Sequence, residues 1–182
     1  MAVWIVPTRL RCDTRAIRDG WRLDVSRYCT PTRPQRSNGS MQTTLTWQQG
    51  LHFQGQNERG DRVDVNATHG EGGPSAPAPM ELLLQAAGAC TGMDTVAILK
   101  KKRKHIVDFT VTLDAERVES HPKTFSSIAV HYHLVSPDAT EADLKRSIEL
   151  SQENYCPVMA MLRAAGVDIT WTMALTSVPA DA

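Results

Sequence analysis

The chain has 182 residues, 41% of them apolar and 22% charged, with 20 basic and 20 acidic side chains that cancel to a formal charge of zero. That length fits one domain with a sizeable core, and the balance gives no overall pull toward nucleic acid or an anionic membrane surface. No run approaches the roughly 20 consecutive apolar residues of a bilayer-spanning helix, and four irregularly spaced cysteines do not make a secreted disulfide framework, so a cytoplasmic protein is expected.

The zero conceals a division. Residues 1–40 carry eight arginines, no lysine and three aspartates, a net of +5, whereas residues 41–182 hold 12 bases and 17 acids, a net of −5. Residues 1–40 show no sustained periodicity and end in the Pro/Ser/Asn/Gly-rich stretch Thr30 to Ser40. Ala2 to Val6 is too short for the apolar core of a secretory signal, and Asp13, Asp19 and Asp24 count against a transit peptide. The segment is expected to be a disordered extension or translated sequence ahead of a start at Met41, with no chemistry at Cys12 or Cys29.

From Met41 the pattern becomes legible. Leu45 and Trp47, then Leu51 and Phe53, predict two short strands around a turn at Gln48-Gln49-Gly50, and Arg62 to Val65 alternates as a third. Residues 66–79 form a Gly/Pro-rich loop containing His69-Gly70-Glu71-Gly72-Gly73-Pro74, of a length that is commonly functional. Pro79 then opens a helix to about Lys104. Its stretch from Leu82 to Met93 is uncharged, so burial on most sides is expected, with Ala86 to Ala89 permitting close backbone approach. The basic run Lys100 to Lys104 suits the negative end of the helix dipole better than a nucleic-acid patch.

Three further strands alternate cleanly. Val107, Phe109, Val111, Leu113 and Ala115 share one face, as do Ile128, Val130, Tyr132 and Leu134, and Ile169, Trp171, Met173 and Leu175. One-sided burial of this kind suits antiparallel pairing. Between the last two strands, Thr140 and Asp143 form a capping-box signal before a stripe of Leu144, Ile148, Ser151 and Tyr155. Pro157 interrupts that helix, and a shorter one follows to Gly166. The expectation is an α+β domain over residues 41–182, with the sheet covering one side of a very apolar helix and a second subunit covering another.

Two cysteines stand in settings that favour reactive thiols. Cys90 lies in the uncharged helical run after the Gly/Pro loop, and Cys156 precedes Pro157, a residue suited to the first helical position, so its thiol is placed at an N-cap. A thiol at a helix mouth faces unpaired N–H groups, which favour thiolate. Leu82, Leu83, Met93, Met159 and Met161 lie near the two cysteines in sequence and are candidates to line an apolar pocket.

The segments Pro79-Met80-Glu81-Leu82-Leu83-Leu84-Gln85-Ala86-Ala87-Gly88-Ala89-Cys90-Thr91, Asp94 to Leu99, and Glu153-Asn154-Tyr155-Cys156-Pro157-Val158 together resemble the OsmC/Ohr family. The order of elements is similar across residues 41–182. The resemblance implies an intertwined homodimer with active sites at the subunit interface, and a thiol-dependent peroxidase that reduces organic hydroperoxides in oxidative or osmotic stress defence. By match to the motif, Cys90 is the peroxidatic and Cys156 the resolving cysteine, with an external dithiol as reductant and no resident cofactor. The chain departs from the Ohr pattern in having Met80 directly after the helix-opening proline, with Glu81 about 100° further around the helix, and in having no arginine from Thr43 to Phe53. Glu81, Glu153, Arg59 and Arg62 are the remaining candidates to support the thiolate.

Two rival readings stand beside this one. Six histidines and the two cysteines are residues from which a metal site could be built, and His131 and His133 share a strand face, but no CxxC, HExxH or paired Cys/His spacing accompanies them, and no metal is expected. The other rival is a non-catalytic module of the same fold, binding a hydrophobic ligand or sensing oxidants through its thiols.

Overall fold

The computed structural model describes residues 10–12, 29–31, 41–67 and 76–179. In the first forty residues these form strands β1 (Leu10–Cys12) and β2 (Cys29–Pro31), paired antiparallel with Cys12 opposite Cys29 in the register. The rest of that segment, and the His69 to Pro74 stretch of the Gly/Pro loop, lie outside the described residues.

The alternation after Met41 folds as expected into an antiparallel sheet of β3 (Thr43–Gln49), β4 (His52–Asn57) and β5 (Arg62–Val65), with β4 in the middle. The β3–β4 turn places Gly50 at φ 55°, a left-handed conformation that costs glycine nothing. In the single chain, Leu45, Trp47, Leu51 and Phe53 of this sheet remain 38–60% exposed.

Helix α1 (Pro79–Lys101) begins with proline at its first position, and the Glu81 carboxylate accepts the Ala78 N–H at 2.8 Å. It ends three residues before the expected limit, because Arg103 turns left-handed at φ 60° and the Lys104 N–H closes back onto the Leu99 carbonyl. Lys102 and Lys104 then reach the Asp143 carboxylate of the next helical segment at 3.3 and 3.2 Å, so two of the basic run are ion-paired and partly buried instead of simply solvated at the helix end. Among the described residues α1 alone is long and apolar enough to match a membrane span. In this fold it is a core helix on one side only. Ala87, Gly88, Thr91, Gly92, Thr95 and Leu99 are buried, whereas Leu83 and Met93 are 39% and 67% exposed. Burial on most sides is therefore not achieved within one chain.

Beneath α1 lies a second sheet, β6 (Asp108–Arg117), β7 (Phe125–Ser136) and β8 (Asp168–Ser177), with β7 central. Its inward row Ile128, Val130, Tyr132 and Leu134 is almost wholly buried. At Gly88 α1 comes close to β6, since a Cβ there would stand 2.5 Å from a Leu113 methyl. The antiparallel expectation holds for β6–β7, but β7 and β8 run parallel, with Ile128 opposite Ile169 and Leu134 opposite Leu175. The reason is the connection: parallel strands require a long crossover, and the helical segment between β7 and β8 supplies it.

That crossover consists of α2 (Glu141–Leu150), one π-helical turn (Ser151–Tyr155) and α3 (Pro157–Ala164). The Thr140/Asp143 capping box forms reciprocally, Thr140 Oγ1 accepting the Asp143 N–H and the Asp143 carboxylate accepting the Thr140 N–H. The Thr140 hydroxyl, with further help from the Thr140 N–H, Lys104 and Lys102, holds the Asp143 carboxyl well below the usual range. Leu144, Ile148 and Ser151 face the core as the stripe predicts, whereas Tyr155 is 59% exposed. The π turn rotates it away.

Candidate functional site

Pro157 creates the local geometry around the second cysteine. Lacking an N–H and crowding the residue before it, proline stops the α2 hydrogen-bond ladder and pushes Cys156 into extended conformation at φ −75°, ψ 103°. The Cys156 N–H bonds the Ser151 carbonyl, closing the π turn, and its Sγ accepts the Met159 N–H at 3.5 Å as the N-cap of α3. The N-cap placement matches the sequence. Its electrostatic consequence does not: burial pushes the Cys156 thiol up to about 11, with the adjoining Cys90 sulfur adding to the rise and the Met159 and Val158 N–H groups only partly opposing it. Desolvation here outweighs the cap.

Cys90 sits in the middle of the 23-residue α1, well beyond the first turn in which a helix dipole acts, so the expected helix-mouth activation does not apply to it. What it has instead is company. Cys90 Sγ, Cys156 Sγ and a carboxylate oxygen of Asp94 all lie within 4.8 Å of one another. Asp94 follows Cys90 by four residues on α1 and so projects from the same face. Cys90 and Asp94 are partly exposed, and Cys156 is buried.

Asp94 is fixed from behind by a run of buried polar groups. Its Oδ2 accepts the Ser151 hydroxyl at 3.1 Å; Ser151 Oγ lies 2.9 Å from Thr91 Oγ1, which lies 2.7 Å from the Tyr132 hydroxyl. Gln152 Nε2 donates to Tyr132 at 2.6 Å, and the Arg163 guanidinium donates to both the carbonyl and the side-chain oxygen of Gln152. Each hydroxyl has one hydrogen to give, and the bond to a carboxylate is the strongest available. Once Ser151 donates to Asp94, Ser151 accepts from Thr91, Thr91 from Tyr132, and Tyr132 from Gln152. The bonds thus point in one direction, from the Arg163 cation to the Asp94 anion. Among the described residues no buried side-chain N or O is left without a partner.

On the opposite side of α1, a cavity of about 670 Å³ runs between the helix and β6, lined by Leu84, Gly88, Met93, Val96, Phe109 and Val111 among others. Of the residues expected to line an apolar pocket only Met93 does so here; Met159 is core, and Met161 is 64% exposed.

A family model described as OsmC-like protein matches residues 70–172. The chain belongs to the OsmC-like family. Protein YhfA of Escherichia coli strain K12 is 40% identical over 130 residues, covering 71% of this chain and 94% of its own length. The crystal structure of a hypothetical protein from Aquifex aeolicus superposes with a TM-score of 0.64 at 30% identity, covering 77% of this chain and all of that one. An organic hydroperoxide resistance protein OsmC from Legionella pneumophila shares the fold at a TM-score of 0.57 and 18% identity, over 79% of this chain and all of its own.

Within this OsmC-like fold the two sequence-predicted cysteines meet, and the four proposed supporting residues do not join them. Glu81 is engaged at the start of α1; Arg59 pairs with Asp61 in the β4–β5 turn at 2.8 Å and is 81% exposed; Arg62 is exposed on β5; Glu153 is exposed on the π turn. His131 and His133 stand apart as well, hydrogen-bonded to Thr172 and Thr176 on the outer face of the sheet. Asp94 was the residue to find. It is the lone charge between Glu81 and Lys100, and its four-residue offset from Cys90 is a helical-face signal.

Proposed function

We propose that this OsmC-like protein is a thiol-dependent peroxidase that reduces organic hydroperoxides through Cys90 and Cys156. The observation that carries the reading is the approach of the two sulfurs to within 4.8 Å, close enough for side-chain rotation to bring them to the roughly 2.05 Å of a disulfide. The description of the Legionella relative as an organic hydroperoxide resistance protein supports the substrate class.

The roles divide by environment. Cys156 is buried and remains a neutral thiol near pH 7, so attack on peroxide falls to the more accessible Cys90. Cys90 thiolate attacks the distal peroxide oxygen, the O–O bond breaks, and the leaving alkoxide takes a proton to become alcohol while Cys90 becomes sulfenic acid. Cys156 sulfur then attacks the Cys90 sulfur; the S–O bond breaks, and the released hydroxide takes the Cys156 proton and departs as water. Asp94, near both sulfurs, accepts and returns the proton in each step. An external dithiol restores both thiols and leaves as its own disulfide. No resident cofactor enters the cycle.

A second copy of the chain completes the protein in this reading. The exposed apolar side of α1 and the exposed rows of β3–β4 are what a homodimer covers. The alternative, a hydrophobic-ligand module, is favoured by the apolar lining of the α1–β6 cavity, in which neither cysteine takes part.

The decisive experiment mixes the reduced protein with cumene hydroperoxide and titrates thiols in a Cys12→Ser/Cys29→Ser background. Two thiols per chain disappear in the otherwise native protein, while Cys156→Ser accumulates a dimedone-reactive sulfenic acid. Unchanged thiols refute the peroxidase and leave the ligand-binding alternative.

A further inference from the structure

The donor set at the cysteines suits a metal ion as well as it suits a disulfide. Two sulfurs and one carboxylate oxygen lie within 4.8 Å of one another. In a tetrahedral zinc site, Zn–S of about 2.3 Å and Zn–O of about 2.0–2.2 Å separate neighbouring donors by roughly 3.6–3.8 Å. Closing the present cluster around an ion therefore asks for movements of at most about 1 Å, within reach of side-chain rotation.

The framework is favourable. Cys90 and Asp94 occupy positions i and i+4 of one continuous helix, the offset by which the two histidines of an HExxH helix hold zinc. Cys156 is fixed from a different direction at the start of α3. Both incoming donors have outer support: Ser151 Oγ donates to Asp94 Oδ2 at 3.1 Å, and the Met159 N–H donates to Cys156 Sγ. Such bonds orient ligands and set affinity. Cys90 and Asp94 are partly exposed, which leaves an approach for the ion and room for a fourth ligand from solvent. Two thiolates with one carboxylate select a thiophilic, tetrahedral ion over magnesium or calcium.

We propose that, in the reduced protein, Cys90, Asp94 and Cys156 form a three-donor site for a thiophilic divalent cation of the Zn²⁺ type. Binding exchanges two thiol protons for the ion, and the disulfide has no thiolates to offer, so occupancy and oxidation exclude each other. The site itself stands without the peroxidase reading; only its use as a brake on peroxide reduction rests on that reading.

Cobalt(II) titrated anaerobically into the reduced, metal-free full chain, with a phosphine as reductant, reports the site directly. One equivalent gives the intense visible bands of tetrahedral cobalt and a sulfur-to-cobalt charge-transfer band. Cys90→Ser and Cys156→Ser each lower the charge-transfer band by about half, Ser151→Ala weakens binding by about tenfold, and the oxidised protein gives neither band. Circular dichroism confirms that each variant is folded. Weak octahedral bands indifferent to both cysteine variants overturn the site. Thiol loss to cumene hydroperoxide, measured with chelator present, separates the two readings: a cobalt failure leaves that loss intact, and a peroxidase failure leaves the cobalt spectrum intact.

Discussion

Asp94 Oδ2 receives the hydroxyl of Ser151 at 3.1 Å, while its carboxylate lies within 4.8 Å of both Cys90 and Cys156 sulfurs. The carboxylate is therefore held on one side and reactive on the other. Asp94→Asn keeps the shape and removes the proton acceptor. Peroxide-dependent disulfide formation is expected to slow by about 10²-fold, measured by stopped-flow thiol loss, with circular dichroism unchanged. A rate equal to that of the native protein removes Asp94 from the proposed cycle.

The Cys156 thiol gives a prediction in the alkaline range. Burial raises it from 9.0 to about 11 in the folded protein, so the neutral form is favoured by folding. The associated stabilisation is complete below about pH 9 and is lost as pH rises through about 11, because there the unfolded chain has already released the proton that the native state retains. Urea melts across that range should show falling stability, and Cys156→Ser should flatten the part below pH 10. Tyr132, also pushed upward by burial, adds a later loss that the variant retains.

Most of the fold was open to reading because it rests on local signals. Proline at the start of α1, the Thr140/Asp143 box, the two-residue alternation of β6 to β8 and Pro157 after Cys156 each act through immediate neighbours. The parallel pairing of β7 and β8 was not open, since alternation gives the buried face of a strand and not the direction of its partner. The site divides in the same way. The cysteines announced themselves by context, but Thr91, Tyr132, Ser151 and Gln152 come from three separate segments, and their association exists only after packing. Glu81 has a local use in the single chain, because an acid in the first turn of a helix serves the helix's own N–H groups whether or not chemistry lies nearby.

Tyr132→Phe tests the cohesion of that polar run. The ring stays, but Gln152 Nε2 loses its 2.6 Å acceptor in a fully buried place. A destabilisation of about 1–3 kcal/mol is expected from urea unfolding. A value near zero indicates that Gln152 finds another partner.

Glu81→Gln separates helix support from chemistry. The loss of a carboxylate at the start of α1 should cost about 0.3–1 kcal/mol of stability, while thiol loss to peroxide proceeds at the native rate. A slowed reaction in a stable variant returns Glu81 to the site.

Trp47→Arg on β3 and Met93→Glu on α1 place charge in two of the most exposed apolar positions, 60% and 67% open in the single chain. If a second copy covers these surfaces, sedimentation shows a dimer for the native protein and a shift toward monomer for each variant. A native monomer refutes the homodimer.

The π turn between α2 and α3 sets a count as much as a shape. With its closing bond spanning five residues instead of four, Ser151 and Gln152 still face inward, yet the phenol of Tyr155 swings to solvent and the next side chain to enter the core is the Cys156 sulfur. Delete Glu153 or Asn154, both exposed, and the Cys156 N–H becomes an ordinary α-helical partner four residues from Ser151, with the sulfur still turned to the core. The turn thus behaves as a one-residue insertion absorbed within a helix, a kind of change that substitution scanning never samples, and a single in-frame codon deletion there leaves the second sulfur in phase with the first.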